Sequence, residues 1–359
     1  MKDWSKLSFD TIPGWYEDDH EAALSCFRMS ARALVEAVTA SRIAVAPSEK
    51  LIEIARNAMN LDPTTIGKEG ARKFFEENFQ AYAYKQEDKG FVTAYFEPEV
   101  PASRVQTEEF SYPLYKRPTD LVKLNEENRP SGFPSELEYA RETDEGLVEY
   151  FDRGQIDQGA LKNQGLELFW LKSAVEGFYI HVQGSARLLF EDGSSARVSY
   201  AGKTGHPYTS IGKLLVKRGV MPLEKANMVN IRAWLEADEQ RGIDLLHENR
   251  SFIFFRELEG HDPDFGPIVA AGVQLTPGRS LAVDRTIHPY GTPVWVATDE
   301  PLPDQTNAFR RLMIAQDTGS AIVGPVRGDL FLGSGKEAGI LAGSVRHSAD
   351  FFVLQPSGE

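Results

Sequence analysis

The sequence contains a single cysteine, Cys26, in 359 residues, which excludes an internal disulfide. It lacks any apolar run of the roughly 18 residues that a membrane-spanning helix needs. Its formal net charge is −14, so it lacks the basic surface that phosphates require and no nucleic-acid partner is expected. The N-terminus shows no basic segment followed by an apolar core. The chain is therefore expected to be either cytosolic or a mature form without its leader.

Several catalytic signatures are missing as well. No histidine pair has metal-ligand spacing, and no Gly-x-Ser-x-Gly nucleophile elbow occurs. The sequence contains no fingerprint of a metal site or a redox cofactor, so neither is expected. Gly202-Lys203-Thr204 resembles part of a phosphate loop, but Arg197 occupies the position of the required first glycine, which excludes nucleotide binding. His181 and His206 remain as alternative catalysts by residue type.

The remaining composition, 42% hydrophobic and 26% charged, is that of a globular protein, and the length predicts two domains. Apolar residues at helical spacing predict helices over 18–42, 48–59 and 67–79. A strand over 90–98 ends at a proline. The composition then shifts to Pro, Glu and Asn, which places a domain boundary near residue 101.

The middle of the chain is predicted to contain an all-β unit over 148–200, either a small barrel or a sandwich. Within it, 177–184 is predicted to be a strand and 191–194 a hairpin turn. Helices are predicted over 209–218, 223–236 and 239–248. Short strands and turns are predicted over 251–359.

Three aspartates in the last third follow or flank apolar, strand-like residues beside glycine-rich turns: Asp284, Asp317 and Asp329. Glycines and a proline between the last two force a turn and allow close backbone approach. This pattern predicts a carboxylate cluster in which one acid stays protonated near neutral pH while its neighbours stay ionised. The alternative is that each aspartate only caps its own turn.

Aromatic side chains with polar tips would stack on the apolar face of a sugar ring. They are Tyr95, Trp170, Tyr179 and Tyr208, with Thr93, Glu97, Gln183 and Ser185 as donors and acceptors for sugar hydroxyls. The alternative is that these rings are half-buried with their polar atoms satisfied within the protein.

Asp317-Thr318-Gly319-Ser320 is also the signature of an aspartic protease. That chemistry needs two such aspartates sharing one proton, and a monomeric enzyme carries two copies. This sequence has one copy, because Asp192-Gly193-Ser194 lacks the intervening residue. A protease is therefore not expected.

The stretch 315–324, followed by 328–333, resembles the three-aspartate domain, with Asp284 as the first of its aspartates. Upstream, 91–98, 182–185 and 200–213 resemble the membrane-bound lytic transglycosylase A family, so the resemblance runs from about residue 90 to the end. Ser320 stands where the family usually has a second glycine, and Leu330-Phe331 replaces the usual Ile-Tyr pair. Neither departure removes a carboxylate.

The resemblance implies a mainly β protein with α-helices. A double-psi β-barrel domain would combine the N-terminal helices and first strand, 1–100, with the C-terminal part, 241–359. A second, barrel-like β-domain that binds substrate, 101–240, would be inserted between them. A groove between the two domains would hold a glycan strand.

The resemblance also implies cleavage of the β-1,4 bond between N-acetylmuramic acid and N-acetylglucosamine in peptidoglycan, leaving a 1,6-anhydromuramyl end. Asp329 would be the catalytic acid, and Asp317 and Asp284 would complete the catalytic cluster. The substrate-binding candidates are Thr93, Tyr95, Glu97, Gln183, Ser185, Lys203, Tyr208 and Ser210. The protein would be a periplasmic monomer acting on glycan strands, with attachment to the outer membrane and to a wall-synthesis complex left open.

Other functions stay open at this point. An inverting peptidoglycan hydrolase would use Asp329 as acid and Asp317 as base, with carboxyl groups about 6.5–9.5 Å apart and a water between them. A non-catalytic glycan-binding wall protein would not need the carboxylate cluster. A cytosolic binding protein rests only on the missing leader.

Overall fold

The computed structural model describes residues 4–62, 65–84, 89–259, 262, 264–302 and 307–358. Its contacts divide the chain into a first unit, Met1–Glu97 with Gly260–Glu359, and a second unit, Pro98–Glu259, inserted into the first. Among the described residues, none of the helices has both the length and the apolar character to cross a bilayer.

Three helices begin the first unit: α1 (His20–Val35), α2 (Glu49–Asn60) and α3 (Gly67–Asn78). The Asp19 carboxylate caps α1 by accepting a hydrogen bond from the Ala22 amide at 3.1 Å. The predictions for the second and third helices are confirmed to within a residue or two. The helix predicted over 18–42 ends at Val35 instead, because Ala37 adopts the left-handed conformation, with φ 51°.

The N-terminal part of the first unit also contains strands. They are β1 (Trp4–Leu7), which precedes the helices, β2 (Phe79–Tyr84) and β3 (Gly90–Glu97). The strand predicted over 90–98 is thereby confirmed. The apolar faces of the three helices pack into one core with residues of the later strands, Trp295 among them.

The second unit mixes strands and helices. Its strands are β4 (Glu99–Pro101), β5 (Tyr112–Tyr115), β6 (Leu121–Lys123), β7 (Tyr139–Thr143), β8 (Gly146–Val148), β9 (Glu167–Leu171), β10 (Ser185–Leu189), β11 (Ser195–Lys203) and β12 (Ile253–Leu258). Its helices are α4 (Arg153–Gln155), which continues into a π-helical turn (Ile156–Ala160), α5 (Ala174–Gln183), α6 (Ile211–Lys217), α7 (Met228–Glu236) and α8 (Glu239–His247). The last three helices were predicted from the sequence and are confirmed.

The strands of the second unit close into a barrel-like ring, as the resemblance implied. One sheet has the order β12-β11-β10-β4, and β5 pairs with β9. Single bridges join Ser103, beside β4, to Trp170 of β9, and Lys116, beside β5, to Phe255 of β12. β6, β7 and β8 form a separate sheet. The hairpin turn predicted at 191–194 joins β10 to β11, with Gly193 at φ 81°.

The prediction of a strand over 177–184, and of an all-β unit over 148–200, is wrong, because α5 occupies this stretch. Ser173 caps the helix by accepting from the Glu176 amide, and Gly184 ends it at φ 78°. The buried residues Val175, Phe178 and His181 recur at helical spacing. Aromatic and β-branched residues also occur at alternate positions in this stretch, and this strand-like spacing led to the wrong prediction.

The boundaries of the inserted unit also differ from the predicted 101–240, and lie at 98 and 259. On the C-terminal side, Leu245 and Leu246 of α8 join a core with Phe178. β12 pairs antiparallel with β11 along its whole length. Both elements therefore belong to the insert, although the sequence placed them after it.

The C-terminal part of the first unit contains β13 (Ser280–Val283), β14 (Pro293–Pro301), β15 (Ala308–Asp317), β16 (Arg327–Ser334), α9 (Gly335–Ser344) and β17 (Arg346–Pro356). Strand pairing runs β17-β14-β15-β13-β16-β3 and returns to β17, which closes a six-stranded barrel. The double-psi crossing of its chain stays a prediction, as does the groove between the units. Helix α9 was not predicted, because four glycines in 333–343 lower its helix propensity.

A glycine in the second unit gives a prediction about stability. Gly205 has φ 92°, and a Cβ there would lie 2.7 Å from the backbone nitrogen of Tyr139. Gly219 has φ 68° but open space around it. Both Gly→Ala variants should lose about 1–2 kcal/mol for the left-handed conformation. Gly205→Ala should lose about 1–3 kcal/mol more, because a backbone atom cannot yield.

Urea unfolding of the two variants side by side measures this difference. Equal losses of unfolding free energy in Gly205→Ala and Gly219→Ala would contradict the close approach of 205 to 139.

Candidate functional site

Strand β13 aligns two of the three aspartates. Its Ala282 pairs with Asp317 of the parallel strand β15 on one side and with Asp329 of the antiparallel strand β16 on the other. On the far side of β16, Asp329 pairs with Thr93 of the parallel strand β3. One row across four strands therefore holds two carboxylates and a hydroxyl.

Asp329 is a buried acid with a raised pKa. The Thr93 hydroxyl donates a hydrogen bond to its Oδ1, and Nη2 of Arg327 donates to the same hydroxyl at 2.8 Å. Burial raises the pKa of Asp329 to about 6, and the negative charge of Asp317 adds to this rise. The Thr93 hydrogen bond and the Arg327 charge oppose it. Asp329 is thus poised to be an acid near neutral pH.

Asp317 has donors at both oxygens. The Tyr95 hydroxyl donates to Oδ2 at 2.9 Å, and the Ala270 amide donates to Oδ1 at 3.4 Å. Burial raises the pKa of Asp317 overall, although the Thr318 amide, the Tyr95 hydroxyl, the charge of Arg42 and the Ala270 amide oppose the rise by favouring the carboxylate. Burial and the charge of Asp317 raise the pKa of Tyr95 well above its usual range, so the phenol stays protonated and donates. The Tyr95 ring packs against Phe331 with centroids 5.4 Å apart.

A β-bulge directs Asp317 into this site. Leu281 pairs with Ala315 and the next residue, Ala282, pairs with Asp317, so Gln316 is the extra residue. The buried Gln316 side chain donates to Oγ of Ser30 in α1 at 2.8 Å, and its Oε1 accepts from Ser280 Oγ at 2.5 Å. This network anchors the bulge to the first helix.

Asp284 lies just beyond β13 but has different contacts. Its Oδ1 accepts from the Thr286 amide at 3.0 Å and from the Thr286 hydroxyl at 2.7 Å, and its Oδ2 accepts from the Gly324 amide at 2.8 Å. Burial raises the pKa of Asp284, but these hydrogen bonds outweigh burial and the pKa is lowered overall. Nε2 of the neighbouring His288 bonds the Pro325 carbonyl at 2.9 Å. These contacts tie the loop between Asp317 and Asp329 to the turn after β13.

Asp284→Asn should therefore act through this loop. The substitution replaces one of the two acceptor oxygens with an NH2 donor, which leaves Gly324 or Thr286 facing a donor, so the unfolding free energy should fall by about 1–3 kcal/mol. The rate of any reaction at Asp329 should fall while its pH dependence stays unchanged, since Asp284 does not contribute to the pKa of Asp329. Urea unfolding and a pH–rate profile check both parts, with exposed Asp264→Asn as control. A shifted profile would mean that Asp284 acts directly on the acid.

The other substrate-binding candidates lie apart from this row in the chain. Glu97 is buried at the end of β3, where Oε2 accepts from Ser334 Oγ at 2.7 Å. In the second unit, Gln183 and Ser185 flank Gly184 between α5 and β10. Lys203 pairs with Glu138 at 2.8 Å, Ser210 caps α6, and Tyr208 is 55% exposed.

The remaining sequence candidates have structural partners. His181 contacts Arg153 at 3.1 Å, and burial holds the pKa of His181 well below its usual range. Nε2 of His206 bonds the Tyr150 carbonyl at 2.8 Å. The Tyr179 hydroxyl donates to a backbone carbonyl at 3.1 Å. Among the described residues, no group of three or more His, Cys, Asp or Glu side chains could hold a metal ion.

Sequence reasoning missed Arg327 and assigned Thr93 to the substrate rather than to Asp329. A signal for Arg327 exists, because residues two apart on a strand face the same side and Asp329 lies two residues later. No such signal exists for the contact of Thr93 with Asp329, because the pairing of β3 with β16 joins residues that are 236 positions apart in the sequence.

Two family models match this chain. The MltA specific insert domain matches residues 91–256, which cover most of β3 and nearly all of the inserted unit, and the 3D domain matches residues 279–355, which contain all three aspartates. A crystal structure of a membrane-bound lytic murein transglycosylase from Agrobacterium tumefaciens is 40% identical, with a TM-score of 0.89 over 99% of this chain and 98% of that one. The chain belongs to the membrane-bound lytic murein transglycosylase A family.

Other members of the family are similar over most of the chain. Membrane-bound lytic murein transglycosylase A of Escherichia coli K12 is 35% identical over 271 residues, or 73% of this chain and 65% of that protein. The chain thus spans somewhat less than two thirds of that relative. A structure of E. coli MltA with bound chitohexaose is 27% identical, with a TM-score of 0.68 over 94% of this chain and 89% of that one.

Proposed function

We propose that this protein is a lytic transglycosylase that cleaves the β-1,4 bond between N-acetylmuramic acid and N-acetylglucosamine in peptidoglycan and leaves a 1,6-anhydromuramyl end. The observation that carries the proposal is Asp329, a buried acid whose pKa is raised to about 6 beside a second carboxylate. Membership of the family supports the substrate and the reaction class.

In the first step, protonated Asp329 donates its proton to the glycosidic oxygen as the C1–O4 bond breaks. The N-acetylglucosamine side leaves as an alcohol, and positive charge develops at C1 and the ring oxygen of the muramyl sugar. Asp317 has a donor at each oxygen, and as a carboxylate in the same row it would stabilise that charge.

In the second step, the C6 hydroxyl of the same muramyl sugar attacks C1. Asp329, now a carboxylate, accepts the hydroxyl proton and returns to its starting form. Because the nucleophile belongs to the substrate, no second carboxylate is needed to activate water. Asp284 orders the loop between the two acids rather than exchanging protons.

The glycan-binding residues follow the same proposal. One similar structure holds chitohexaose, a β-1,4-linked chain of N-acetylglucosamine, which supports an extended glycan strand as the ligand. Tyr208 is exposed enough for its ring to stack on a sugar, and Gln183 and Ser185 flank a turn. Glu97, Lys203 and Ser210 already have protein partners, so we assign them to positioning of the backbone that borders the strand.

The proposed substrate also indicates where the protein acts. Peptidoglycan lies in the periplasm, so we expect the protein to act there, and we propose that it acts as a monomer.

Digestion of purified sacculi, followed by mass spectrometry of the released muropeptides, tests the proposal. Products lighter by one water than the hydrolysed forms are expected. Reducing ends would indicate an inverting hydrolase with Asp317 activating water. Binding to sacculi without any release would indicate a wall-binding protein.

A further inference from the structure

Thr93, Arg327 and Asp329 form a chain of hydrogen bonds with a fixed direction. A guanidinium can only donate, so Nη2 of Arg327 must donate to Oγ1 of Thr93 at 2.8 Å. A threonine hydroxyl has a single proton. With Oγ1 already accepting, that proton is directed to the other partner, Oδ1 of Asp329.

The backbone around β3 and β16 holds Arg327 in place. Its Nη1 donates to the carbonyl of Gly328, and the guanidinium lies 5.3 Å from the ring centroid of Phe91. Residues 327 and 91 pair directly in the two parallel strands, as do 329 and 93. The same pairing that brings Thr93 to the acid therefore brings Arg327 to Thr93.

We propose that Arg327 is a positioning residue of this site: it orients the Thr93 hydroxyl toward Oδ1 of Asp329 and leaves Oδ2 as the oxygen that gives and takes the catalytic proton. The proposal rests on the function proposed above. Of the two carboxyl oxygens of Asp329, only Oδ1 accepts a hydrogen bond from the described residues. Oδ1 remains an acceptor throughout the reaction, and the carboxylate formed after proton donation keeps one charge-supported hydrogen bond.

The charge of Arg327 has a second consequence. It opposes the rise in the pKa of Asp329 that burial and Asp317 cause, and so does the Thr93 hydrogen bond. Loss of either should raise the pKa of Asp329. The alkaline limb of the pH–rate profile, where the acid loses its proton, should then move to higher pH while the plateau rate falls.

A double-mutant cycle tests the proposal, with release of anhydro muropeptides from sacculi as the rate. Arg327→Met and Thr93→Val should each lower kcat by about 10- to 100-fold, the range expected for hydrogen bonds to charged groups. If Arg327 acts through Thr93, Arg327→Met should cost several-fold less in the Thr93→Val background. Arg346→Met is the matched control, because Arg346 is exposed on β17 and pairs with Thr93 from the other side of β3.

Conservative variants distinguish loss of these hydrogen bonds from misfolding of the protein. Thr93→Ser keeps the hydroxyl and should restore most of the rate and the wild-type alkaline limb, and Arg327→Lys keeps the charge and should restore the limb in part. Additive effects of Arg327→Met and Thr93→Val, or an alkaline limb that stays in place, would overturn the proposal. Absence of anhydro products from the wild-type protein would instead overturn the proposed function.

Discussion

Asp329→Asn is expected to remove nearly all cleavage of peptidoglycan while leaving glycan binding intact. The amide cannot donate the proton to the glycosidic oxygen or accept one from the C6 hydroxyl. Each lost proton transfer is worth about 10²–10⁴-fold, so kcat should fall by at least about 10³-fold. The amide oxygen can still accept from Thr93, so the local hydrogen bond survives. Initial rates on sacculi and co-sedimentation with them measure the two effects.

The same variant separates catalysis from folding through its pH dependence. The pKa of Asp329 is raised in the folded protein from its ordinary 3.8 to about 6, so folding loses stability as pH rises through this window. Asp329→Asn cannot ionise, and its unfolding free energy relative to wild type should rise between these pH values. Exposed Asp264→Asn should change neither rate nor stability. Near-normal turnover in Asp329→Asn would remove this residue as the acid.

Asp317→Asn is expected to shift the pH profile as well as slow the reaction. The charge of Asp317 raises the pKa of Asp329, so its removal should lower that pKa. The general acid would then lose its proton at lower pH, and the alkaline limb should move down. Above that pKa, each whole unit by which it falls would lower the rate by about tenfold, and the unstabilised charge at C1 should slow the reaction further.

Tyr95→Phe provides the graded comparison for Asp317. It removes the donor to Oδ2 of Asp317 while keeping the ring on Phe331. Asp317 should ionise less readily, so the alkaline limb should move in the same direction by a smaller amount. An unchanged limb in Asp317→Asn would show that the two carboxylates are not coupled.

Much of this site could be predicted from the sequence because its parts are local. Asp317 and Asp329 flank apolar segments that are separated by glycines. In the structure one loop joins β15 to β16, with Asp317 at the end of β15 and Asp329 near the start of β16. The long amphipathic helices at the N-terminus have a strong 3.6-residue period. These features need no knowledge of distant contacts.

The features that were not predicted correctly from the sequence depend on tertiary structure or on mixed local signals. The stretch 177–184 contains aromatic and β-branched residues at alternate positions, so only its caps, Ser173 and Gly184, indicate a helix. The contact of Thr93 with Asp329 depends on the pairing of two strands that lie before and after the inserted unit in the sequence, and no local pattern predicts that pairing. The role of Asp284 required knowledge of which amides its oxygens meet, and Gly324 lies 40 residues away.

The central claim is that a hydroxyl of the substrate, not water, attacks the muramyl C1. Digesting sacculi in water enriched in the heavy oxygen isotope tests this most directly, with mass spectrometry of the new glycan ends. Anhydro ends that contain no heavy oxygen are expected at every pH where the enzyme is active. Heavy oxygen at C1 of the released muramyl residues would contradict it and assign the reaction to a hydrolase.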